Sequence, residues 1–325
     1  MLEVLPDHFA DRLIAAIRRK RNPVLIGLDP RAESLPKGLL AGEGNEAVAR
    51  AYVAFCRGII DVVAPLVPAV KPQAAFFEQL GPPGCVALGE VMSYAAEKGL
   101  VVILDGKRND IGTTAQAYAE GYLGVRSQRS GVRSQEPVAG SAWGADALTV
   151  SPYLGDDSIT PFLTIAKERG AGIFVLVKTS NPGGGRFQDL MADGKPLYRH
   201  VAEFVEGLAS KSRGSEGYGI VGAVCGATYP EQLAELRQAM PSTLFLIPGF
   251  GAQGGTAKDC AAAFDERGLG GIVNNSRGII FAHSRVEYRD KFGDSRWQAA
   301  VEAATRAMIA QLVAETTAGS LKSRL

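Results

Sequence analysis

Short apolar runs alternate with longer amphipathic segments along the whole chain. The short runs are rich in Val, Ile and Leu and end at glycine, proline or charged residues, a pattern typical of buried strands. The predicted strands are Val24–Asp29, Val67–Lys71, Val101–Asp105, Ala147–Ser151, Gly172–Lys178, Ile220–Cys225, Thr243–Pro248 and Gly271–Asn274.

The segments between these strands carry apolar residues at helical spacing. The first twenty residues also have this amphipathic pattern and predict an N-terminal helix. The helices predicted after it are Ala47–Val63, Cys85–Lys98, Thr114–Gly121, Ser158–Arg169, Leu197–Lys211, Pro230–Met240, Thr256–Arg267 and Arg296–Thr316.

Strands that alternate with helices predict a parallel sheet, and eight of them favour a closed (β/α)8 TIM barrel. An open doubly wound sheet is the alternative, because periodicity does not establish closure. No linker divides the chain, so residues 1–325 are predicted to form one domain. The polar segment 125–141, in which Gly-Val-Arg-Ser-Gln occurs a second time after its first copy at 124–128, is expected to be a solvated insertion loop or an interface. Residues 316–325 are expected to be a frayed tail.

The composition excludes several classes of function. The 35 basic and 34 acidic residues leave a net charge of +1, which favours neither a nucleic-acid partner nor a membrane surface. No run of about 18 apolar residues predicts a membrane span. Four scattered cysteines and the absence of a signal-peptide pattern favour a cytoplasmic protein with reduced thiols. The three histidines lack the spacing of metal ligands, so we expect no metal site and no Ser-His-Asp triad.

Charged residues cluster where the predicted strands end. The first strand ends at Asp29, the second at Lys71, and the third runs into Asp105, Lys107 and Asp110. Side chains two apart on a strand point the same way, so Asp105 and Lys107 are predicted to lie on one face. Because the loops after the strands build the active site of such a barrel, these residues are predicted to form a catalytic site.

The last two strands lead into segments suited to an anion. A glycine-rich loop with Pro248, Gly251 and Gln253 follows the seventh strand, and Ser276 and Arg277 follow the eighth. Glycine lets backbone amides approach an anion, the next helix adds its positive end, and arginine binds phosphate in a bidentate manner. The same two loops form the usual phosphate site of these barrels, so we predict phosphate binding here.

These segments, taken together, resemble orotidine 5′-phosphate decarboxylases, in particular their longer-chain bacterial subgroup. The resemblance runs from about Gly27 to Ala282 and rests on the Asp105-Gly106-Lys107-Arg108-Asn109-Asp110 core, part of which related sugar-phosphate decarboxylases and aldolases share. It implies loss of CO2 from C6 of orotidine 5′-phosphate to give uridine 5′-phosphate, the last step of de novo pyrimidine nucleotide synthesis. It implies no metal and no cofactor.

The resemblance also implies roles for the charged residues. Lys107 would stabilise the carbanion that forms at C6 and then protonate it. Asp105 would lie near the substrate carboxylate and orient Lys107. Lys71 would bridge the acids and the ribose, and Asp29 would hydrogen-bond the ribose or Lys71.

The remaining implied contacts bind the substrate. Ser180 would contact the pyrimidine, while Gln253 and Arg277 would hold the phosphate. Pro248, Gly251 and Ser276 would complete the surrounding loops.

In the resembled family the segment that corresponds to Asp110, Ile111 and Thr114 completes the neighbouring subunit's site. The resemblance therefore implies a homodimer with shared active sites. The alternative is that Asp110 only caps its own helix.

Two other functions are compatible with parts of the pattern. A Schiff-base aldolase on the same barrel would use Lys178 or Lys71 as its amine. A non-catalytic phosphate-sensing barrel would keep Arg277 and the glycine loop but would have no use for the charged residues of the third strand.

Overall fold

Eight parallel strands close into a barrel in the computed structural model, which describes residues 8–124, 140–251 and 253–322. Around the barrel, each strand lies beside the next barrel strand along the chain, and the last lies beside the first. This confirms the predicted TIM barrel and excludes the open sheet. The barrel strands are β1 Val24–Leu28, β2 Ala69–Pro72, β3 Val101–Arg108, β4 Ala147–Val150, β5 Gly172–Lys178, β8 Val221–Cys225, β9 Phe245–Ile247 and β10 Gly271–Asn275. A small antiparallel hairpin that was not predicted, β6 Met191–Ala192 and β7 Lys195–Pro196, lies between β5 and the next long helix.

Helices surround the barrel at most of the predicted places. They are α1 Phe9–Lys20, α2 Gly44–Val63, α3 Ala74–Glu78, α4 Pro82–Glu97, α5 Gly112–Tyr122, α6 Thr160–Glu168, α7 Gly185–Gln188, α8 Leu197–Ser210, α9 Pro230–Ala239, α10 Ala257–Cys260, α11 Arg277–Ile280, α12 Val286–Phe292 and α13 Trp297–Glu315. The prediction of a helix over Thr256–Arg267 is wrong beyond Cys260. There the chain tightens into a 3₁₀ turn at Ala261–Ala263 and leaves helical geometry at Phe264.

The strands are buried on both faces, one against the barrel interior and the other against the helices. Every residue of β1, β8 and β10 is buried. Helix α1 covers the ends at which β4 and β5 begin, and its Phe9 packs edge-to-face on Phe174 with ring centroids 5.9 Å apart. Gly172 permits this approach, because a Cβ at that position would lie 2.2 Å from the Phe9 ring. The opposite end of the barrel is therefore the one left for a site.

The C-terminal segment differs from its prediction. Residues Thr317–Lys322 form a 3₁₀ helix instead of a frayed tail, with Ala318 and Leu321 buried in the core. Thr317 also donates a hydrogen bond to the backbone oxygen of Asp265, at 2.7 Å. The burial of Ala318 and Leu321 holds this segment in place. Two apolar residues are too few to show a helical period in the sequence, which is why the prediction missed them.

Two parts of the chain for which predictions were made lie wholly or partly outside the described residues. The insertion loop 125–141 lies outside them except for Gly140 and Ser141, and so do residues 323–325. All four cysteines are free thiols. None of the helices in the described part of the chain is long and apolar enough to cross a membrane.

Candidate active site

A cavity of about 430 Å³ opens at the carboxyl ends of the barrel strands. Residues from all eight barrel strands, or from the loops that follow them, contribute to its wall. Most residues predicted from the sequence meet here. Those that line the cavity are Asp29, Lys71, Asp105, Lys107, Ser180, Pro248, Gln253, Ser276 and Arg277.

The carboxylate of Asp105 is the centre of the polar network. Its Oδ2 accepts from Lys71 Nζ at 2.8 Å and from Gln73 Nε2 at 2.9 Å. Its Oδ1 accepts from Lys107 Nζ at 2.6 Å and from the Thr149 hydroxyl at 2.9 Å. Four donors on two oxygens fix both the position and the orientation of this carboxylate.

Asp105 and Lys71 both remain charged at neutral pH. Burial opposes ionisation of Asp105, but the ammonium groups of Lys71 and Lys107 outweigh it and hold the pKa of the carboxyl well below its usual range. Burial alone would lower the pKa of Lys71, whereas the charges of Asp105 and Asp29 raise it above its usual value. The result is a fixed array of alternating charge in which Lys71 and Asp105 are buried.

Lys107 is the accessible end of the array, with 48% of its side chain exposed. Its side chain lies on the same side as that of Asp105, as predicted, but simple alternation is not the reason. Lys107 has a φ of 45°, in the left-handed region, and the pairing of β3 with β4 shifts register between Leu104 and Arg108. A bulge at the end of β3 therefore aims the lysine into the cavity.

The glycine-rich loop after β9 differs from its prediction. The amides of Gly251, Gly254 and Gly255 all donate to carbonyl oxygens inside the loop, at 2.8 to 3.0 Å. Helix α10 is a single turn, and a capping box between Thr256 and Asp259 uses the amides of both residues. These five amides are therefore not available to an anion.

Gln253 and Arg277 are the side chains in position to bind an anion, since both line the cavity. Gly249, with a φ of 100°, lets the loop pass close to Ser180, because a Cβ at this glycine would lie 3.2 Å from the Ser180 Cβ. Gly251 instead lines a neighbouring cavity of about 500 Å³.

Several polar atoms of the cavity wall have no partner among the described residues. They are Nε of Arg31 and three oxygens, Oδ1 of Asp29, Oδ1 of Asn274 and Oδ1 of Asn275, all buried. Buried polar groups are nearly always hydrogen-bonded, so the three oxygens are suited to the hydroxyl and N–H groups of a polar ligand. Asn274 was not predicted as a site residue, although it ends the last predicted strand and the ends of the other strands were used to predict site residues.

Gln73 and Thr149, the two uncharged donors to Asp105, were also missed as site residues. Both stand where a strand meets the cavity, Gln73 directly after β2 and Thr149 inside β4. Uncharged residues at such positions give no signal without the three-dimensional pairing.

Asp110, Ile111 and Thr114 do not line the cavity of their own chain. Asp110 has a φ of 134° and its Oδ1 accepts from the amide of Ile111 at 2.9 Å. Ile111 precedes α5 with no side-chain cap, and 54% of it is exposed. The segment therefore points away from the cavity into solvent.

The fold and the site define a barrel enzyme with a lysine–aspartate–lysine array, buried at Lys71 and Asp105, in a cavity that Gln253 and Arg277 also line. The sequence matches the model of the family described as "Orotidine 5′-phosphate decarboxylase / HUMPS family" over residues 23–291. The chain belongs to this family.

Relatives and solved structures agree with this assignment. The chain is 58% identical to the orotidine 5′-phosphate decarboxylase of Rhodopirellula baltica, covering 94% of this chain and 98% of that one. It is 41% identical to the enzyme of the same name from Caldicellulosiruptor bescii, covering 87% and 92%. The structure of Leishmania donovani OMP decarboxylase superposes with a TM-score of 0.70 at 32% identity and covers 95% of this chain and 98% of that one.

Proposed function

We propose that the chain converts orotidine 5′-phosphate to uridine 5′-phosphate and CO2 in this cavity. The observation that carries the proposal is the Lys71–Asp105–Lys107 array, placed in one pocket with Gln253 and Arg277. Family membership and the names of the relatives point to the same reaction.

The reaction leaves an electron pair on the pyrimidine ring. When the bond between C6 and the carboxylate breaks, CO2 departs and its bonding electrons remain in the plane of the ring at C6. The Lys107 ammonium can stabilise this charge and then transfer a proton to C6, so that the neutral amine regains a proton from water. Its half-exposed side chain has access to solvent for that last step.

Asp105 acts by placing Lys107. Both of its oxygens are already bonded, so the carboxylate does not move to meet the substrate. Its negative charge keeps the Lys107 ammonium in position before the reaction. Such preorganised charge is usually the largest single contribution to catalysis.

The remaining roles follow from position along the pocket. Asp29 and Lys71 lie together on adjacent strand ends, where the ribose hydroxyls would bind. Ser180 would contact the pyrimidine, and Gln253 and Arg277 would hold the phosphate. Binding energy from the remote phosphate would help to position C6 against Lys107.

We also propose that two copies share their active sites. Asp110, Ile111 and Thr114 do not line their own pocket, Ile111 is 54% exposed, and Tyr118, one turn after Thr114 in α5, is 37% exposed. An exposed apolar surface next to an outward-pointing carboxylate suits a two-fold contact in which Asp110 enters the partner's pocket. The alternative, that Asp110 caps α5, is not supported, because Asp110 Oδ1 accepts a hydrogen bond from the amide of Ile111 and not from an amide within the helix.

The lysines do not favour the aldolase alternative. A Schiff base needs a neutral amine facing the substrate. Lys178 is 1% exposed, bonds Asp189 at 2.5 Å and does not line the cavity. The pKa of Lys71 is raised, which keeps its amine charged.

A direct assay tests the proposal. Purified protein is mixed with orotidine 5′-phosphate in the presence of a strong chelator, and the ultraviolet absorbance change is followed. We expect turnover without added metal or cofactor. Absence of turnover would refute the proposed reaction, whereas turnover that is lost in chelator and restored by a divalent cation would refute the cofactor-free mechanism.

A further inference from the structure

Thr149 occupies an unusual position in the barrel. It is 1% exposed, in the middle of the short strand β4, where its neighbours Leu148 and Val150 are apolar. A hydroxyl in such a place costs free energy unless it is fully hydrogen-bonded. Its bonding partners therefore indicate why it is there.

Both partners belong to the charge array. The Thr149 hydroxyl donates to Asp105 Oδ1 at 2.9 Å, and its oxygen accepts from the backbone N–H of Lys107, also at 2.9 Å. A hydroxyl has only one proton to donate, so its donor capacity is used on Asp105. Thr149 thus links the carboxylate to the backbone of the lysine that we propose as the proton donor.

The pairing of β3 with β4 explains the need for this link. Leu104 pairs with Leu148 and Arg108 pairs with Val150, so residues 105, 106 and 107 of β3 all stand opposite Thr149 alone. The strand bulges here, and regular ladder bonding is lost. The Thr149 side chain supplies the acceptor for the Lys107 N–H that the ladder no longer provides.

The same bulge carries backbone strain. Lys107 is not a glycine, yet its φ is 45°. A non-glycine residue in this region is strained and persists only where its surroundings hold it. The bond from Lys107 N to Thr149 lies directly at the strained residue.

We infer that Thr149 is a positioning residue for the decarboxylation, whose hydroxyl holds the β3 bulge and so keeps the Lys107 ammonium on Asp105 and facing C6. The inference rests on the proposed function. Thr149 acts through Lys107 and Asp105 and needs no contact with the substrate.

Thr149→Val tests the inference, because it removes the hydroxyl and keeps the β-branched shape. We expect kcat to fall about 10- to 100-fold, since the Lys107 amide loses its buried acceptor and Asp105 loses a donor. The KM should stay within about threefold, because the phosphate end of the pocket is unchanged. Thr149→Ser, which keeps the hydroxyl, should retain kcat within about threefold of wild type.

Thr305→Val is the matched control. Thr305 is also fully buried, and its hydroxyl donates to the backbone oxygen of Val301 at 2.8 Å in α13, outside the cavity wall. It should lose stability with kcat unchanged. If Thr149→Val does not fold, Thr149→Ala takes its place and carries the same expectation.

The outcomes separate this inference from the proposed function. If the wild type does not decarboxylate orotidine 5′-phosphate, the proposed function fails. If the wild type is active and Thr149→Val keeps its kcat, or Thr149→Ser loses as much as Thr149→Val, the positioning role is wrong.

Discussion

At one end of the pocket Asp105 is surrounded by four donors, whereas at the other end Gln253 stands on a loop and Arg277 begins α11, without a comparable network among the described residues. Lys71, Asp105 and Thr149 of the first group are buried on strands, and the hydrogen bonds of Asp105 exist before any substrate arrives. In the second group, Gln253 lies on a loop in which the amides of Gly251, Gly254 and Gly255 donate to carbonyl oxygens of the loop itself, so these amides are not available to the ligand. We therefore propose that the chemical step takes place at the rigid end, with Asp105, and that the phosphate binds at the end with Gln253 and Arg277.

We expect the two ends of the pocket to differ because new charge develops during the reaction at only one of them. A transition state that develops charge at one carbon benefits from groups that do not reorganise. A phosphate brings its own charge and can order the side chains that bind it. Mutations at the two ends should therefore change different kinetic constants.

Lys107→Ala is expected to have the largest effect. It removes both the charge at C6 and the proton donor, so activity should fall by roughly a thousandfold or more while the fold is kept. Steady-state kinetics and circular dichroism measure the two properties. Lys211→Ala, an exposed lysine beyond the end of α8, is the control and should behave like wild type. A Lys107→Ala enzyme within about tenfold of wild type (~1.4 kcal/mol) would contradict the assignment of Lys107.

Arg277→Ala tests the binding end and should act mainly on KM. Loss of a charge-assisted contact to phosphate should raise KM about 10- to 100-fold, with a smaller change in kcat. Orotidine, which lacks the phosphate, provides the control substrate, and with it the variant and wild type should react alike. An equal fall in activity with both substrates would show that Arg277 does not bind the phosphate.

Much of this comparison could be predicted from the sequence. Apolar runs that end in Asp29, Lys71 and Asp105 placed the charged residues at one end of a barrel, because strand ends of a parallel sheet share an edge. The family motif then assigned roles to them. Both predictions depend on local pattern and chain order, which the sequence contains directly.

The parts that failed depend on pairing between distant segments. The bulge that turns Lys107 and the donors Gln73 and Thr149 arise from how β2, β3 and β4 align. The glycine loop and the short α10 have a local cause instead, because the loop closes through hydrogen bonds from its own amides to its own carbonyl oxygens and α10 ends after one turn. Residue type alone does not specify such contacts.

The proposed dimer predicts complementation between two inactive variants. Asp110→Ala and Lys107→Ala are each expected to be inactive. In a hybrid dimer one site carries both lesions and the other carries neither, so random mixing should restore about a quarter of wild-type activity. Mixing two differently tagged Lys107→Ala preparations is the control and should restore none. No recovery after demonstrated subunit exchange would place Asp110 in its own chain's site.

The smallest expected effect concerns stability in acid. The pKa of Asp105 is lowered in the folded protein from its ordinary value of 3.8, so its ionisation stabilises the fold above that pH. This contribution, on the order of 2 kcal/mol, is lost as the pH falls below about 4 toward the folded-state pKa. Asp105→Asn has no such ionisation, so the difference in unfolding free energy between it and wild type should be largest near neutrality and narrow below about pH 4.

Urea unfolding at a series of pH values measures this difference. Thr305→Val is the control, because it removes a buried hydroxyl outside the pocket and no titrating group. The difference in unfolding free energy between it and wild type should therefore be the same at all pH values. A gap between Asp105→Asn and wild type that stays constant from neutral pH to the lowest pH at which unfolding is cooperative would mean that Lys71 and Lys107 do not stabilise the ionised carboxylate. The charge array would then not be the rigid end of the pocket.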